Sequence, residues 1–347
     1  MTDDIKLNPG ERPTLRTVAR LSGLAVSTVS RALNDAPDIN AETKCKVRAV
    51  AEAINYRPVR SSVNLRTGKS YNLALVINHA DEHLEFARRM IVGITGRIKN
   101  TRYELFISPE YPDADPASQI RAIIESGAAD GVILTHTLPQ DDRVKYLLEA
   151  GFPFVTHGQT ELLTPHAWYD YDNRAFTNVA SKRLISLGCQ SIGLVAATGH
   201  ITSYGHSVQG VADAVREAGL PPHPFNFVPK VDGNVAEVHD FATRQARAGS
   251  VPQGVVCTSD LATLAVMDAF QAEGLEIGRD VCIVARKTSN VLTYARPRVE
   301  VVLEDLEQAG HDMADLLLRR IDGEDPRRLQ VLVKPEPCWV SGEHSTS

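Results

Sequence analysis

The sequence lacks long hydrophobic runs. No eighteen consecutive residues are apolar, although 43% of the 347 residues are hydrophobic. A transmembrane helix needs about 20 such residues, so the sequence predicts no membrane span. The first residues, MTDDIKLNPGERP, are polar and do not form a secretory signal. We therefore expect a cytoplasmic protein of two or three domains, with enough apolar side chains for complete cores.

Cysteine is scarce and unpatterned. Five cysteines lie far apart in the chain, and no two of them form a CxxC motif. An odd number without metal-ligand spacing argues against a disulfide framework and against a zinc site. The sequence predicts reduced, mostly buried thiols at Cys45, Cys189, Cys257, Cys282 and Cys338.

Motifs of enzyme chemistry are also missing. The sequence contains no HExxH, GxSxG or GxGxxG, and its eleven histidines show no metal-ligand spacing. The segment Arg66–Ser70 resembles the end of a Walker A loop, but Val63 stands where the first glycine is required. We predict neither enzymatic activity nor a bound cofactor or metal.

Charge is distributed unevenly along the chain. Residues 1–69 contain 12 Lys and Arg against 7 Asp and Glu, a net charge of +5. Residues 70–347 contain 25 against 36, a net charge of −11. A basic segment attached to an acidic body is typical of a nucleic-acid-binding module carried by another domain.

Two short helices are predicted within the basic segment. Thr14 is a candidate N-cap for the first helix, and Gly23 allows the sharp turn that ends it. The second helix is predicted from Val26 to Leu33. This pattern favours a helix-turn-helix, whose second helix fits the DNA major groove. An ordinary helical hairpin with a solvated Ser/Thr face is the alternative.

The outer face of the second helix carries small hydroxyl side chains and one long cation, Arg31. Small side chains allow the helix to approach base edges, and an arginine can contact guanine O6 and N7 together. A third helix is predicted over Ala41–Asn55, capped by Asn40 and stopped at Pro58.

These segments carry a family resemblance. TLRTVARLSGLAVSTVSRALN, INAETKCKVRAVAEAINYRP and NLRTGKS together resemble the head of LacI/GalR-family transcription regulators. The resemblance implies that a hinge segment follows the head, with Leu65 inserted into the minor groove of operator DNA. It also implies base contacts from Val26, Ser27 and Arg31, and phosphate contacts from Thr14, Thr28, Ser30 and Asn34. One residue departs from the pattern, because Ala25 stands where the family usually has an N-cap serine.

Strand and helix patterns alternate after Tyr71. The alternation restarts near residue 173, which predicts two α/β lobes with parallel sheets around a ligand cleft. Taken with the resemblance, the fold class is an all-α helix-turn-helix head plus a two-lobed, periplasmic-binding-protein-like effector domain. We expect the head at 1–59, the hinge at 60–70 and the effector and dimerisation domain at 71–347. The first lobe is expected at about 71–171 and 296–322, and the second at about 172–295 and 323–347.

Polar and aromatic residues near predicted strand ends are candidates for effector contacts. The residues chosen by strand ends are Thr135, His136, His157, Asp172, Asp260 and Lys287. The resemblance adds Phe86, at a helix start where the family keeps an aromatic residue against the ligand, and Ser207, at the position of a family cleft residue. Two of them depart from the family pattern: Ser207 replaces a frequent cleft arginine, and Lys287 replaces a frequent acidic residue. A lysine in the cleft favours an anion, so the expected effector is a sugar, sugar acid or sugar phosphate. The alternative is that Lys287 pairs with a carboxylate such as Asp172 and never meets the ligand.

The sequence therefore predicts a DNA-binding transcription regulator, expected to be a repressor of carbohydrate-use genes. A homodimer on a pseudo-palindromic operator would be released by the effector. Two alternatives remain open. In one, the effector acts as a co-repressor and tightens DNA binding. In the other, the chain is a cytosolic small-molecule receptor that acts through a protein partner.

Overall fold

A computed structural model describes residues 13–56, 69–77, 84–110, 115–196, 199–229 and 234–339. The chain divides into two compact units, with the boundary between Ser70 and Tyr71. None of the helices within the described ranges is long and apolar enough to cross a membrane. Cys189 and Cys257 are buried, whereas Cys45 and Cys338 are exposed and Cys282 is half-buried. The prediction of mostly buried thiols is therefore wrong.

The head is a three-helix unit. Its helices are α1 (Leu15–Ser22), α2 (Val26–Leu33) and α3 (Ala41–Ala53). Apolar residues from all three helices form one small core, in which Val18, Val29 and Val47 are fully buried. The helical spacing of apolar residues predicted this packing correctly.

Helix α3 ends two residues earlier than the sequence predicted. Ile54 is its C-cap, and Asn55 adopts a left-handed conformation with φ of 52°. Asparagine tolerates this region better than most residues, so the helix ends before Pro58 is reached.

The first lobe of the body contains a six-stranded parallel sheet. Its spatial order is β11-β5-β4-β3-β1-β2. The strands are β1 (Asn72–Ile77), β2 (Glu104–Pro109), β3 (Gly131–Leu134), β4 (Phe154–His157), β5 (Ala167–Tyr171) and β11 (Gln330–Val333). Helices α4 (Leu84–Ile98), α5 (Ser118–Glu125), α6 (Asp142–Glu149) and α11 (Leu306–Ile321) belong to this lobe.

The second lobe has its own six-stranded sheet, in the order β12-β10-β9-β8-β6-β7. Only β12 is antiparallel to its neighbour. The strands are β6 (Ile192–Val195), β7 (Asn226–Phe227), β8 (Gly254–Cys257), β9 (Cys282–Lys287), β10 (Glu300–Leu303) and β12 (Glu336–Cys338). Helices α7 (Asn173–Ser186), α8 (Thr202–Glu217), α9 (Val235–Arg247) and α10 (Asp260–Ala272) accompany them.

The predicted assignment of the C-terminal segments to lobes is wrong in two places. Strand β10, expected in the first lobe, pairs with β9 in the second. Strand β11, expected in the second lobe, pairs with β5 in the first. The sheet that a strand joins depends on which other strand it pairs with, and local sequence patterns do not encode that partner. The chain therefore crosses between the sheets after β5, after β10 and after β11.

Two further elements were missed or shortened in the prediction. Strand β5 is rich in Trp, Tyr and Asp and lacks an apolar alternation, so no strand was expected there. Helix α8 begins at Thr202, six residues before the predicted start at Val208. Its N-cap, Ile201, makes no side-chain hydrogen bond, so the usual sequence signal for a helix start is absent.

Helices α4 and α11 pack closely because each has a glycine at the contact. A Cβ atom added to Gly93 would overlap the carbonyl oxygen of Glu307, and one added to Gly310 would overlap that of Met90. The same addition at Gly96, also in α4, meets no atom within 4 Å. These two glycines therefore set the distance between α4 and α11.

We predict that Gly93→Ala destabilises the body by about 1–3 kcal/mol, because the new methyl group forces the two helix backbones apart. Gly96→Ala is the matched control in the same helix, and it should stabilise by about 0.5–1 kcal/mol through helix propensity. Urea denaturation measures both changes. Equal stability of the two variants would contradict the proposed role of Gly93.

Candidate DNA-reading head and effector cleft

The two helices of the head have different N-terminal caps. Thr14 forms a capping box with Thr17, since the hydroxyl of Thr14 accepts from the Thr17 amide at 3.1 Å. Ala25 caps α2 without any side-chain hydrogen bond. The missing oxygen at position 25, noted from the sequence, therefore leaves the first amides of α2 without a side-chain acceptor.

The predicted DNA-contacting residues of α2 lie on the outside of the head. Val26 is 42% exposed, which is unusual for an apolar residue on a short helix. Arg31 is exposed and pairs with Asp38, and Asn34 donates to the carbonyl oxygen of Ser30 at 2.6 Å. The predicted set also includes Thr14 and Ser27, which are exposed, and Thr28 and Ser30, which are half-buried. Leu65 lies outside the described residues.

A cavity of about 190 Å³ lies at the carboxyl ends of strands from both sheets of the body. Residues that follow β3, β4 and β8 line it, together with residues at the ends of β5 and β9. The carboxyl ends of parallel strands are the usual ligand position in open α/β sheets. We call this cavity the cleft.

Four of the predicted effector residues line the cleft: Phe86, His136, His157 and Asp260. The Phe86 ring lies 5.8 Å from that of His136 and 5.3 Å from that of His157, measured between centroids. These three rings form one aromatic wall. Asp260 accepts from the hydroxyl of Thr288 at 3.1 Å.

Three other predicted residues do not line the cleft. Thr135 is buried and donates to the carbonyl oxygen of Val76 at 3.2 Å. Asp172 is the N-cap of α7 and accepts from the Ala175 amide at 2.9 Å. Ser207 donates to the carbonyl oxygen of Ser203 within α8. Each of these side chains forms a hydrogen bond with a backbone group of the protein.

Lys287 is also absent from the cleft, and Arg286 lines it instead. Strand β9 continues through Lys287, beyond its predicted end at Val284. Successive side chains of a strand point to opposite faces, so only one of these two cations can face the cleft. Lys287 lines a separate depression together with Arg89 and His311. Lys287, which the sequence predicted to meet the effector, therefore lies outside the cleft lining, and the residue before it lies within that lining.

Arg286 is held by groups from three segments. Its Nε donates to the Thr258 carbonyl oxygen at 2.8 Å, and its Nη1 donates to Asn173 Oδ1 at 2.8 Å. Nη1 also lies 3.1 Å from Glu304 Oε2. The guanidinium stands 5.9 Å from the ring centre of Tyr171 and 5.6 Å from that of Phe176. This cation is therefore fixed in place by its neighbours.

His157 and Glu304 form the floor of the cleft. Burial lowers the pKa of His157 to about 4, and the nearby positive charge of Arg286 lowers it further in the same direction. The imidazole is therefore neutral at pH 7. Its Nε2 lies 3.8 Å from Glu304 Oε1 and has no hydrogen-bond partner among the described residues. A ligand hydroxyl can bridge these two atoms.

Asp170 is a buried carboxyl group beside Glu304. Burial raises its pKa to about 7, and the negative charge of Glu304 also raises it. Gln159 Nε2 donates to Asp170 Oδ2 at 2.9 Å and opposes the shift. Burial likewise raises the pKa of Glu304, while Arg286 opposes this.

The charge balance of the cleft is acidic. Four carboxyl groups line it against one guanidinium, and that guanidinium already pairs with Glu304. Burial raises the pKa of Asp170, Asp260 and Glu304, which reduces the negative charge of the cleft. Carboxyl groups hydrogen-bond to hydroxyl groups in either protonation state, and those that are ionised repel anions. The lining therefore suits a neutral, hydroxyl-rich ligand. The carboxyl groups belong to Glu85, Asp170, Asp260 and Glu304.

Sequence reasoning missed Asp170, Arg286 and Glu304. Asp170 belongs to the unpredicted strand β5, and Glu304 follows a strand that was assigned to the other lobe. Arg286 was passed over because β9 was ended too early. Three consecutive residues of β9, Ile283 to Ala285, are buried, so alternation along the strand does not tell which of Arg286 and Lys287 faces the cleft.

We predict that Asp170→Asn raises stability at alkaline pH. The folded protein holds the Asp170 proton more tightly than the unfolded chain, so its contribution to stability is full below about pH 4. That contribution is lost as the pH rises through about 7. Unfolding free energies should agree near pH 4, and the variant should gain on the order of 4 kcal/mol at pH 8. A constant difference across this range would exclude a raised pKa.

Comparison with known proteins finds matches for both units. Residues 14–59 match the family model for bacterial regulatory proteins of the lacI family, and residues 181–343 match a periplasmic binding protein-like domain. The transcriptional regulator RafR of Escherichia coli is 29% identical over 342 residues, which is 96% of this chain and 99% of RafR.

Two solved structures share the architecture. The complex of the transcriptional regulator CelR with cellobiose has a TM-score of 0.69 at 25% identity. The Lac repressor dimer bound to operator and the anti-inducer ONPF has a TM-score of 0.81 at 20% identity. Each match covers 94% of this chain and 98% of the other. The predicted combination of a helix-turn-helix head and a two-lobed α/β body is confirmed.

Proposed function

Because the chain is a LacI-family transcription regulator, we propose that a neutral saccharide in the cleft controls its binding to operator DNA. The observation that carries this proposal is the acidic, hydroxyl-accepting floor of the cleft. There, neutral His157 presents Nε2, which has no hydrogen-bond partner among the described residues, 3.8 Å from the carboxyl oxygen Oε1 of Glu304. The aromatic wall suits the apolar face of a sugar ring.

The choice of a neutral ligand revises the expectation from the sequence. The sequence left a sugar, a sugar acid and a sugar phosphate open as effectors, and the two anionic classes rested on a contact between Lys287 and the ligand. With Lys287 outside the cleft lining and four carboxyl groups within it, an anion would be repelled. The relative CelR was solved with cellobiose, a neutral sugar, which supports the same ligand class.

We propose that the head reads DNA through the exposed face of α2. Val26, Ser27 and Arg31 contact bases, while Thr14 and Asn34 contact phosphates at either end of the motif. Thr28 and Ser30 add phosphate contacts, and Leu65 enters the minor groove. One head covers only a few base pairs, so a homodimer on a pseudo-palindromic operator is required. The similar Lac repressor was solved as a dimer on operator.

Binding, and no chemical conversion, is the proposed task of the cleft. The regulator acts in the cytoplasm as a repressor, and the effector releases it from the operator. The head (1–59), the hinge (60–70) and the body (71–347) are the proposed working parts. Coupling between effector and operator in such systems is typically about 1–3 kcal/mol and is reciprocal.

We predict that Arg31→Ala weakens specific operator binding by about 5- to 150-fold, corresponding to one lost bidentate base contact. Asp38→Asn is the matched control, because it removes the same ion pair from the other side and leaves the arginine in place. Operator and random duplexes are titrated at fixed salt. Equal losses with Arg31→Ala and Asp38→Asn would show that the ion pair matters and that Arg31 reads no base.

We predict that a neutral saccharide binds wild type and Lys287→Ala equally, and that it binds Glu304→Gln at least about tenfold more weakly. The second loss follows from removing a charged hydrogen-bond acceptor. Calorimetric titration of cellobiose, other neutral sugars, sugar acids and sugar phosphates measures these affinities. Binding of an anionic sugar that depends on Lys287 would overturn the neutral-ligand proposal. Tighter operator binding with effector present would instead make it a co-repressor.

A further inference from the structure

The turn between β3 and α6 adopts a conformation that its residues do not favour. His136 has φ of 55°, in the left-handed region that few residues other than glycine adopt. Such a conformation persists only where the surrounding structure imposes it. The turn comprises residues 135–137, and His136 lines the cleft.

A buried arginine imposes this conformation. The side chain of Arg143 is only 4% exposed. Its Nη2 donates to the carbonyl oxygen of Thr135 at 3.2 Å and to that of His136 at 2.9 Å. Two consecutive carbonyl groups are therefore aimed at one guanidinium.

The guanidinium of Arg143 is itself held in place by other groups, so it cannot move together with the turn. Nε and Nη2 of Arg143 donate to Asp141 at 2.9 and 2.7 Å, and Nη1 pairs with Glu110. Asp141 is held in turn, since it accepts from the Leu138 amide at 3.1 Å and caps α6. Bidentate pairing of this kind fixes both position and orientation.

The far end of the same turn contacts the other lobe. The carbonyl oxygen of Thr137 accepts from the amide of Thr202 at 3.1 Å and from its Oγ1 at 3.3 Å. Thr202 is the first residue of α8, whose N-cap, Ile201, supplies no side-chain acceptor. An otherwise unpaired amide at the start of α8 is thus satisfied by the first lobe.

We propose that Arg143 is a positioning residue for the effector site. By fixing the turn, it sets His136 in the aromatic wall and presents the Thr137 carbonyl to α8 of the second lobe. Closure of the two lobes around the effector then depends on a guanidinium that does not line the cleft. The proposal rests on the proposed function of the cleft as a saccharide site.

Two variants test the two ends of this arrangement. Arg143→Lys keeps the charge but cannot span both carbonyl groups and both carboxylates. Thr202→Pro removes both cross-lobe hydrogen bonds, and proline is well tolerated at the first position of a helix. Ile201 already has the extended conformation (φ −81°, ψ 155°) that a following proline requires.

Matched controls separate positioning from general destabilisation. Thr202→Ala removes only the hydroxyl bond and keeps the amide donor. Arg183→Lys makes the same chemical change in a half-buried arginine that pairs with Glu300 in the second lobe. Arg183 does not contact the turn through any hydrogen bond described for it.

The measurements are saccharide affinity by calorimetry and hydrogen exchange of the Thr202 amide in the full chain. We expect Arg143→Lys and Thr202→Pro each to weaken saccharide binding about five- to tenfold. The double variant should bind saccharide no more weakly than the single variant with the lower affinity, because both substitutions break the same contact. Arg143→Lys should also speed exchange at Thr202 without any saccharide, whereas Arg183→Lys should change neither quantity.

Wild-type affinity in Arg143→Lys, or additive losses in the double variant, would overturn the proposal. An equal loss with Arg183→Lys would also overturn it, by showing that any weakened arginine pair suffices. Failure of the proposed function has a different signature: wild type then binds no saccharide, while the exchange of the Thr202 amide still responds to Arg143→Lys.

Discussion

The guanidinium of Arg286 joins segments that are far apart in the chain. It bonds to Thr258 after β8, to Asn173 at the start of α7 and to Glu304 after β10. Asn173 and Glu304 lie at two of the three points where the chain crosses between the sheets. Burying such a charge is costly unless every donor is used. One ion pair therefore ties the crossovers to the cleft that they border.

The bonds of Arg286 explain why the polar groups of the cleft are held in place. Tyr171 donates to the Leu303 carbonyl oxygen at 3.1 Å, which links two crossovers directly. Asp170, near the end of β5, and Glu304, directly after β10, lie beside these same crossovers and line the cavity. Groups that bind a ligand and groups that join the lobes are thus neighbours in sequence. In the proposed function, a ligand that alters the spacing of these carboxyl groups acts directly on the segments that join the two lobes.

The structure of the head depends on fewer contacts between distant segments. Its core is built from a few small apolar residues of three short helices, and short helices are marginal without tertiary packing. Within the part of the chain that the structure describes, the exposed face of α2 forms one ion pair, between Arg31 and Asp38. Because reading DNA needs only exposed side chains at helical spacing, the head can be recognised from the sequence. The residues of the cleft lie on segments that are far apart in the chain, so local sequence patterns identify only some of them.

The sequence by itself determined the three helices of the head, the alternation of strands and helices, and three residues of the cleft, His136, His157 and Asp260, while the family resemblance added Phe86. These depend on local periodicity, capping and strand ends. Only the tertiary structure decided that β10 and β11 exchange lobes and that Arg286 faces the cleft while Lys287 does not. Strand β11 pairs with β5, far earlier in the chain, whereas β10 pairs with β9, the strand that precedes it. Local patterns do not encode these partners, and a shift of one residue reverses the face of every side chain.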